Sequence, residues 1–312
     1  MDDGVVGKIL LIVGSGYTPL AERIGQQLQL AVTPIHLTQF PNGERWVQLP
    51  MEVEDKDVCL FQDATRDPND SLFELLQMVD AAKQGKARSI LVICPSYAYA
   101  RQEHPLPRCA PTPSLFARLL STLGADRLLT VDLHAPHQSH QFAIPTQVIS
   151  VDEVFIPYLR SVMEPGSLLF GADGSMYERV KAWAHALGCT YGWAHKQRDM
   201  QGRLRLVDWY GEVQGQSVYL VDDRVDTGGT IALVAARLKQ LGAKKVTAVV
   251  THGITDVGGW ERIQSGGVDA IIESDTRSIS ALGECQTVLS VSPLIADAIR
   301  MALGSLSNIS GR

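Results

Sequence analysis

The sequence predicts an α/β protein with two domains, each a mostly parallel sheet flanked by helices. Three observations support this prediction. The chain has 312 residues, and one domain usually takes roughly 150 residues. Short apolar runs alternate with amphipathic stretches along the chain, as strands and helices do in βαβ units. The apolar runs are continuous rather than alternating, which is typical of parallel strands covered on both faces.

The first series of predicted elements lies between residues 8 and 131. Its continuous apolar runs predict strands at 8–13, 58–61, 89–94 and 127–131. Its apolar residues at spacings of three and four predict helices at 20–28, 71–83 and 114–123. Gly14-Ser15-Gly16 separates the first strand from the first helix.

A second series of elements follows a boundary near Ser150. Its apolar runs predict strands at 168–170, 217–221, 245–250 and 269–272. Helical spacing predicts helices at 177–187 and 230–241. The two predicted domains are 1–150 and 151–312, and the last helix is a candidate to pack back on the N-terminal domain. Because parallel α/β sheets bind ligands at the carboxyl ends of their strands, we expect the functional residues there.

Composition excludes several classes of partner. The chain has 28 Lys and Arg against 34 Asp and Glu, a net charge of −6, so we expect neither nucleic acid nor an anionic membrane as a partner. No apolar stretch is as long as a membrane span, and the acidic residues 1–4 do not resemble a signal peptide. The five cysteines are scattered and never form CxxC. They indicate a reducing compartment, the cytoplasm, without disulfides or a zinc site.

The strongest candidate site is the string VYLVDDRVDTGGT at Val218–Thr230. A predicted strand leads into Asp222 and Asp223, and Asp226-Thr227-Gly228-Gly229-Thr230 then opens a helix. Small residues let the backbone approach a phosphate with its N–H groups, and a helix N-terminus adds partial positive charge. The adjacent acids suit ribose hydroxyls, directly or through a divalent cation. The structural alternative is an ordinary strand-to-helix turn capped by threonine.

This string resembles the phosphoribosyl-diphosphate (PRPP) loop of type I phosphoribosyltransferases and of ribose-phosphate diphosphokinase, the PRPP synthetase family. Further motifs resemble that family in order and spacing, from about residue 8 to residue 302. They are Phe40-Pro41-Asn42-Gly43-Glu44 (FPDGE in the family), Tyr99-Ala100-Arg101-Gln102 (YARQ), Thr130–His134 (TVDLH), Asp173 (the acid of SPD) and Lys196-Gln197-Arg198 (KxR). A simple phosphoribosyltransferase needs only one such domain. The resemblance therefore implies two type I phosphoribosyltransferase-like domains.

The resemblance also implies an activity, which is transfer of the β,γ-diphosphoryl group of ATP to O1 of ribose 5-phosphate. The products are PRPP and AMP, for nucleotide biosynthesis. It implies Mg²⁺ as the cofactor and ATP and ribose 5-phosphate as the substrates. In the family the FPDGE loop reaches the ATP site of a neighbouring subunit. We therefore expect a homo-oligomer, of the dimer or the hexamer-of-dimers type.

Site residues follow from the resemblance, position by position. The catalytic cations would be Lys196 and Arg198, beside a polar stretch at 199–203 that suits a closing loop. The residues that would bind ribose 5-phosphate are Arg198, Asp222, Asp223, Asp226, Thr227, Gly228, Gly229 and Thr230. The residues that would bind ATP are Phe40, Asn42, Glu44, Arg101, Gln102, His104 and Arg108. The residues that would bind Mg²⁺, partly through water, are His134 and Asp173.

Each of these assignments has a structural alternative when its residues are taken alone. Lys196 and Arg198 would then be a solvated basic surface. The segment Phe40–Glu44 would be a Pro-Asn-Gly turn between strands. His134 would be a hydrogen-bonded histidine at the end of a strand.

The sequence departs from the family pattern at a few positions. After Gln102 it has Glu103 and His104 where the family has an acid followed by arginine, and by our pairing the segment to Arg108 is two residues short. Asn42 replaces the acid of FPDGE. These departures leave two alternatives to an active synthetase. One is a non-catalytic regulatory or structural partner of such an enzyme, and the other is a phosphoribosyltransferase that consumes PRPP.

Overall fold

The computed structural model describes residues 9–16, 19–64, 67–102, 107–134, 139–140, 142–198, 204–253, 258–277 and 285–307, with the backbone alone at 196–198, 204–207 and 305–307. The chain forms two compact units. The first unit comprises Met1–Ser150 and Val291–Arg312, and the second comprises Val151–Ser290.

The first unit is built on a six-stranded parallel sheet. In chain order, the strands of this unit are β1 (Ile9–Val13), β2 (Val32–Pro34), β3 (His36–Gln39), β4 (Arg45–Gln48), β5 (Asp57–Phe61), β6 (Ser89–Ile93), β7 (Arg127–Val131) and β8 (Thr146–Ile149). The sheet order is β2-β1-β5-β6-β7-β8, and each neighbouring pair is parallel. Strands β3 and β4 form a separate antiparallel hairpin. The helices before residue 150 are α1 (Pro19–Leu28), α2 (Pro68–Gln84) and α3 (Thr112–Leu123).

The central strands explain why this sheet forms. Every residue of β5 and of β6 is buried, as expected for strands between two layers of helix. Helix α2 turns its apolar residues at spacings of three and four into the core, namely Leu72, Leu75, Met78, Val79 and Ala82. Gly124 ends α3 in the left-handed conformation that glycine adopts without strain.

The second unit repeats this plan with a seven-stranded sheet. Its strands are β9 (Leu168–Gly171), β10 (Thr190–Arg198), β11 (Leu204–Tyr210), β12 (Ser217–Arg224), β13 (Lys245–His252), β14 (Ala270–Ser274) and β15 (Gln286–Leu289). Its helices are α4 (Asp152–Val162), α5 (Tyr177–Leu187), α6 (Gly229–Gln240) and α7 (Gly259–Ser265). The order is β11-β10-β9-β12-β13-β14-β15, and only the β10–β11 pair is antiparallel. Helix α8 (Ser292–Ser307) follows and packs on α1 in the first unit.

The predicted fold class, two mainly parallel sheets flanked by helices, is confirmed. Each predicted strand and helix has a counterpart, although the ends differ by a few residues. The hairpin β3–β4 was not predicted, because its short half-exposed strands carry little apolar periodicity. The longer antiparallel pair β10–β11 was not predicted either. Among the described residues, none of the helices has the length and apolar character that crossing a membrane requires.

A buried carboxylate closes the glycine turn of the first unit. Glu74, on α2, has no solvent exposure. Its oxygens accept hydrogen bonds from Ser15 N at 2.6 Å, Ser15 Oγ at 2.7 Å and Gln62 Nε2 at 2.8 Å. Arg45 Nη1 donates to Glu74 Oε2 at 3.3 Å and links the turn end of the β3–β4 hairpin to the same group. A Cβ at Gly14 would lie 2.7 Å from Glu74 Oε1, so the turn needs glycine for this close approach.

We predict that Glu74→Ala lowers the free energy of unfolding by about 3 kcal/mol or more, because the buried donors of Ser15 and Gln62 lose this acceptor and Arg45 keeps only its ion pair with Asp70. The matched control is Glu54→Ala, which breaks an exposed 2.9 Å ion pair with Lys86 and should cost no more than about 1 kcal/mol. Urea denaturation of both variants measures the difference. Equal losses of stability would show that the buried network contributes nothing special.

Burial also separates the five cysteine thiols. Cys59 lies on β5 with no solvent exposure, and burial, followed by the charge of Asp57, raises its pKa to about 12. Cys109 and Cys285 are exposed.

Because the thiolate is the reactive species, we predict that a disulfide reagent at about pH 8 labels Cys109 and Cys285 in the native protein. Cys59 should react only after unfolding in guanidinium, and mass spectrometry of the labelled peptides would locate each site. Labelling of native Cys59 at the rate of Cys109 would contradict this prediction.

Candidate active site

The carboxyl end of β12 carries the two adjacent acids. Strand β12 lies between β9 and β13 in the middle of its sheet. Asp222 and Asp223 are both buried, with 7% and 5% of their surface exposed. Asp222 Oδ1 accepts a hydrogen bond from Asp223 N at 2.9 Å. The strand thus holds two carboxylates at the edge of the sheet where ligands of parallel α/β proteins bind.

The loop after β12 turns sharply into α6. Gly228 has a φ of +81°, and a Cβ there would lie 2.5 Å from Ile263 Cγ2 and 3.0 Å from the carbonyl oxygen of Gly259. Glycine is therefore needed at 228 for the fold itself. Gly229 is different, because it is exposed and a Cβ there would meet only Thr227 Oγ1, at 3.8 Å. The N-cap residue of α6 is Gly228, so the N-cap position of this helix has no side chain and is not a threonine.

An uncapped helix start leaves the N–H groups of the first turn without partners inside the helix. Together with the partial positive charge of the helix N-terminus, these groups suit an anion. The open position at Gly229 lies at that helix start. The loop therefore has the geometry expected for phosphate, and the tertiary structure supplies a reason for only one of its two glycines.

Two arginines from distant parts of the chain contact this loop. Arg277 follows β14 and is 4% exposed. Its Nη1 donates to Asp226 Oδ1 at 3.0 Å, to Gly253 O at 3.0 Å and to Val225 O at 3.3 Å. Arg262, on α7, donates from Nη1 to Thr227 O. Neither arginine belongs to a motif in the sequence, and sequence reasoning missed both.

A buried polar layer supports the same edge of the sheet. His252 ends β13, and its Nδ1 lies 2.9 Å from Thr276 Oγ1. Thr276 Oγ1 donates to Thr251 O at 3.0 Å, and Val225 N donates to His252 O at 3.0 Å. Thr251, His252 and Thr276 are each at most 2% exposed. These bonds join the ends of β13 and β14 to the start of the loop.

The other second-unit candidates lie at this same edge. Asp173 is two residues beyond β9, and its Oδ1 accepts a hydrogen bond from Ser175 N at 2.8 Å, which caps a short 3₁₀ turn. Lys196 and Arg198 lie on β10, which continues past the end of β9 to pair with β11. Their side chains and residues 199–203 lie outside the described part. The backbone thus brings three predicted positions to the strand ends beside β12.

The first unit positions the residues predicted to bind ATP. Phe40–Glu44 forms the turn between β3 and β4, so it is a turn between strands as well as a candidate loop. Phe40 N donates to Glu44 O at 2.8 Å, Asn42 Oδ1 accepts from Glu44 N at 3.2 Å, and Gly43 has a φ of +90°. The Phe40 side chain is 44% exposed. This leaves its ring available to a planar partner.

Two more first-unit candidates follow β6. Arg101 and Gln102 are exposed. Gln102 N donates to Tyr99 O at 2.8 Å, and its Oε1 accepts from Thr112 Oγ1 at 2.7 Å. Arg108 is exposed with a φ of +66°, and His104 lies outside the described residues. The structure brings Arg101 and Gln102 to one turn.

Of the two predicted magnesium ligands, His134 lies after β7 in the first unit and Asp173 lies in the second. The described residues contain no group of three or more His, Cys, Asp or Glu side chains that could share a metal ion. Magnesium usually binds through one or two carboxylates together with substrate phosphates. The carboxylate of Asp173 is a donor of this type, so Asp173 fits Mg²⁺. The assignment stays a prediction.

Comparison with known proteins identifies the family. The fold and the loop define an α/β protein of phosphoribosyltransferase-like type. The family model for the N-terminal domain of ribose phosphate pyrophosphokinase matches residues 9–124, and the model for the phosphoribosyl synthetase-associated domain matches residues 201–308. The chain belongs to the ribose-phosphate pyrophosphokinase family, which is the PRPP synthetase family predicted from the motifs.

Individual relatives match over nearly the whole chain. A ribose-phosphate pyrophosphokinase of Wolinella succinogenes is 33% identical over 93% of this chain and 94% of its own length. Ribose-phosphate pyrophosphokinase 4 of Saccharomyces cerevisiae is 31% identical over 96% of this chain and 93% of its own length. The crystal structure of phosphoribosylpyrophosphate synthetase from Mycobacterium smegmatis superposes with a TM-score of 0.88 at 32% identity, covering 96% of this chain and 99% of that one.

Proposed function

We propose that the protein is an active PRPP synthetase, which transfers the diphosphoryl group of ATP to O1 of ribose 5-phosphate with Mg²⁺. The observation that carries the proposal is the loop Asp222–Thr230, with two buried acids, an uncapped helix start and an open position at Gly229. Membership of the family supports the choice of substrates. A cytoplasmic location and a homo-oligomeric state stay predictions that accompany this function.

The second unit would bind the sugar phosphate. The N–H groups and hydroxyls of Asp226–Thr230 would hold the 5-phosphate, and Asp222 and Asp223 would accept hydrogen bonds from the ribose hydroxyls. These contacts would fix O1 in position for attack on ATP. Positioning and charge neutralisation contribute most of the rate in phosphoryl transfer, so no covalent nucleophile is required.

The remaining residues would bind ATP and stabilise its charge. Phe40 would stack on adenine and Glu44 would accept from its amino group, on an ATP bound to a neighbouring subunit. Arg101 would contact phosphate. Lys196 and Arg198 would stabilise the charge that develops on the transferring group. His104 and Arg108 are proposed as further residues of the same ATP site.

Mg²⁺, held partly through water by His134 and Asp173, would supply further positive charge at the phosphates.

Two observations favour a second candidate, a non-catalytic partner of a PRPP synthetase. The segment from Glu103 to Arg108 departs from the family pattern, and the amide oxygen of Gln102 already accepts a hydrogen bond from Thr112. Both features weaken the case for ATP binding at this turn. A phosphoribosyltransferase that consumes PRPP is less favoured, since it would not account for the family match over residues 9–124.

Formation of AMP distinguishes these functions. The purified protein is incubated with ATP and Mg²⁺, with and without ribose 5-phosphate, and AMP and PRPP are measured. Production of both that depends on the sugar supports the synthetase. A folded protein that binds ribose 5-phosphate but forms no AMP supports the non-catalytic partner. Release of pyrophosphate from PRPP and a base supports the phosphoribosyltransferase.

We predict that Lys196→Ala lowers kcat by about a hundredfold or more, because a cation that stabilises the transition state is lost. Ribose 5-phosphate should still bind, as measured by isothermal titration calorimetry. The matched control is Lys244→Ala, since Lys244 is an exposed lysine of the same unit that pairs with Glu164 at 3.6 Å. A kcat for Lys196→Ala close to that of the control would exclude the assigned role.

The two glycines of the loop should also separate folding from binding. Gly228→Ala should lower the melting temperature, because of its positive φ and its contact with Ile263. Gly229→Ala should leave the melting temperature unchanged within a few degrees yet raise the KM for ribose 5-phosphate by about tenfold, because its methyl group would occupy the ligand's approach. Thermal melts and initial-rate kinetics measure both effects. An unchanged KM in Gly229→Ala would argue against phosphate binding at this loop.

A further inference from the structure

We propose that Arg277 and Arg262 are positioning residues for the proposed phosphate-binding loop Asp226–Thr230. Both orient peptide groups at 225–228, and Arg277 also neutralises the Asp226 carboxylate. Neither arginine belongs to a predicted site motif. Arg262 contacts the loop from α7, and Arg277 contacts it from the segment after β14. The inference rests on the proposed function for the identity of the ligand as a sugar phosphate.

The buried guanidinium of Arg277 donates two hydrogen bonds to the loop. Arg277 is 4% exposed, and a buried charge is costly unless it is paired and hydrogen-bonded. Two of the three acceptors of its Nη1 belong to the loop, Val225 O at 3.3 Å and Asp226 Oδ1 at 3.0 Å. The third is Gly253 O at 3.0 Å, at the end of β13. The arginine therefore ties the conformation of the loop to the edge of the sheet.

The carbonyl contacts have a consequence for the N–H groups that follow them. In a trans peptide the C=O of one residue and the N–H of the next point in opposite directions. With Val225 O directed at Arg277, the N–H of Asp226 is turned away from that arginine. With Thr227 O directed at Arg262, the N–H of Gly228 is likewise turned away from its arginine. The two contacts thus orient loop N–H groups before any ligand binds.

The ion pair solves a charge problem in the same loop. Asp226 lies in the segment proposed to hold the 5-phosphate. Its carboxylate and a phosphate bound there are both negatively charged and would repel each other. Arg277 pairs with its carboxylate at 3.0 Å, and the carboxylate is still 40% exposed. Without Arg277, the Asp226 carboxylate would lose this ion pair while it faces a phosphate. A role in packing alone would not depend on the charge of Asp226.

The experiment is calorimetric titration of the full-length protein with ribose 5-phosphate and, separately, with ATP and Mg²⁺. The variants are Arg277→Met, Arg277→Lys, Arg262→Met and the double variant Asp226→Asn with Arg277→Met. The matched control is Arg160→Met, which removes an exposed arginine of the same unit that donates to the carbonyl of Ala186 at 2.8 Å. Thermal melts establish that each variant is folded at the assay temperature.

We expect Arg277→Met to raise the Kd for ribose 5-phosphate by about tenfold or more, with the Kd for ATP within about twofold of wild type. Arg277→Lys keeps the charge without the planar fork and should give a smaller increase. Adding Asp226→Asn to Arg277→Met should recover part of the lost affinity, because it removes the negative charge that Arg277 pairs with in the wild type. Arg262→Met should weaken sugar-phosphate binding moderately, and Arg160→Met should leave it unchanged.

Several outcomes overturn the inference. It fails when Arg277→Met binds ribose 5-phosphate as wild type does, or when binding of ATP and of ribose 5-phosphate falls equally. It also fails when Asp226→Asn restores nothing. Should Arg277→Met not fold, Arg277→Lys and Arg262→Met decide, and wild-type affinity in both overturns the inference.

AMP assays on the same samples separate this inference from the proposed function. Wild type that binds ribose 5-phosphate without forming AMP, together with weakened binding in Arg277→Met, upholds the positioning role and overturns the synthetase activity. Wild type that forms AMP, together with unchanged binding in Arg277→Met, does the reverse. Wild type that binds no ribose 5-phosphate overturns both.

Discussion

Burial of β12 between β9 and β13 is the constraint on which the candidate site depends. Its residues from Val218 to Val221 are at most 7% exposed. The acids Asp222 and Asp223 follow them, where the strand reaches the edge of the sheet. Parallel neighbours end at the same edge, and this brings Asp173 and the positions of Lys196 and Arg198 to the same side as Asp222. The placement of the candidate residues in the second unit therefore follows from the direction of its strands.

The two units treat their glycine turns differently. In the first unit, the turn Gly14–Gly16 is closed by the protein's own groups, since Glu74 accepts from Ser15 and the amide oxygen of Gln62 accepts from Gly16 N at 2.8 Å. In the second unit, the loop after β12 leads into α6 through Gly228, an N-cap residue without a side chain, and Gly229 is open. An internal carboxylate satisfies the first turn, whereas the start of α6 has no N-cap side chain and is where we propose that the sugar phosphate binds. This contrast agrees with the assignment of the sugar phosphate to the second unit.

Prediction from sequence succeeded where the signal is local. Continuous apolar runs identified the buried strands, because parallel strands between two helical layers have no polar face to interrupt them. The loop Asp222–Thr230 was found because its strand, acids, small residues and helix are consecutive. The β3–β4 hairpin was missed as structure although its turn, Phe40–Glu44, was noted as a motif. Its strands are short and mostly exposed, and therefore carry no clear apolar period.

The sequence by itself determined the fold class, the family and the candidate residues, because each rests on periodicity or on a contiguous motif. The tertiary structure alone decided what supports the loop. Arg262 and Arg277 lie 35 and 51 residues beyond the loop atoms that they contact, and their pairing depends on how α7 and the end of β14 are brought to β12. It also decided that Gly228 is required by the fold whereas Gly229 is open. Such distinctions depend on distances between elements remote in the chain, which no local pattern encodes.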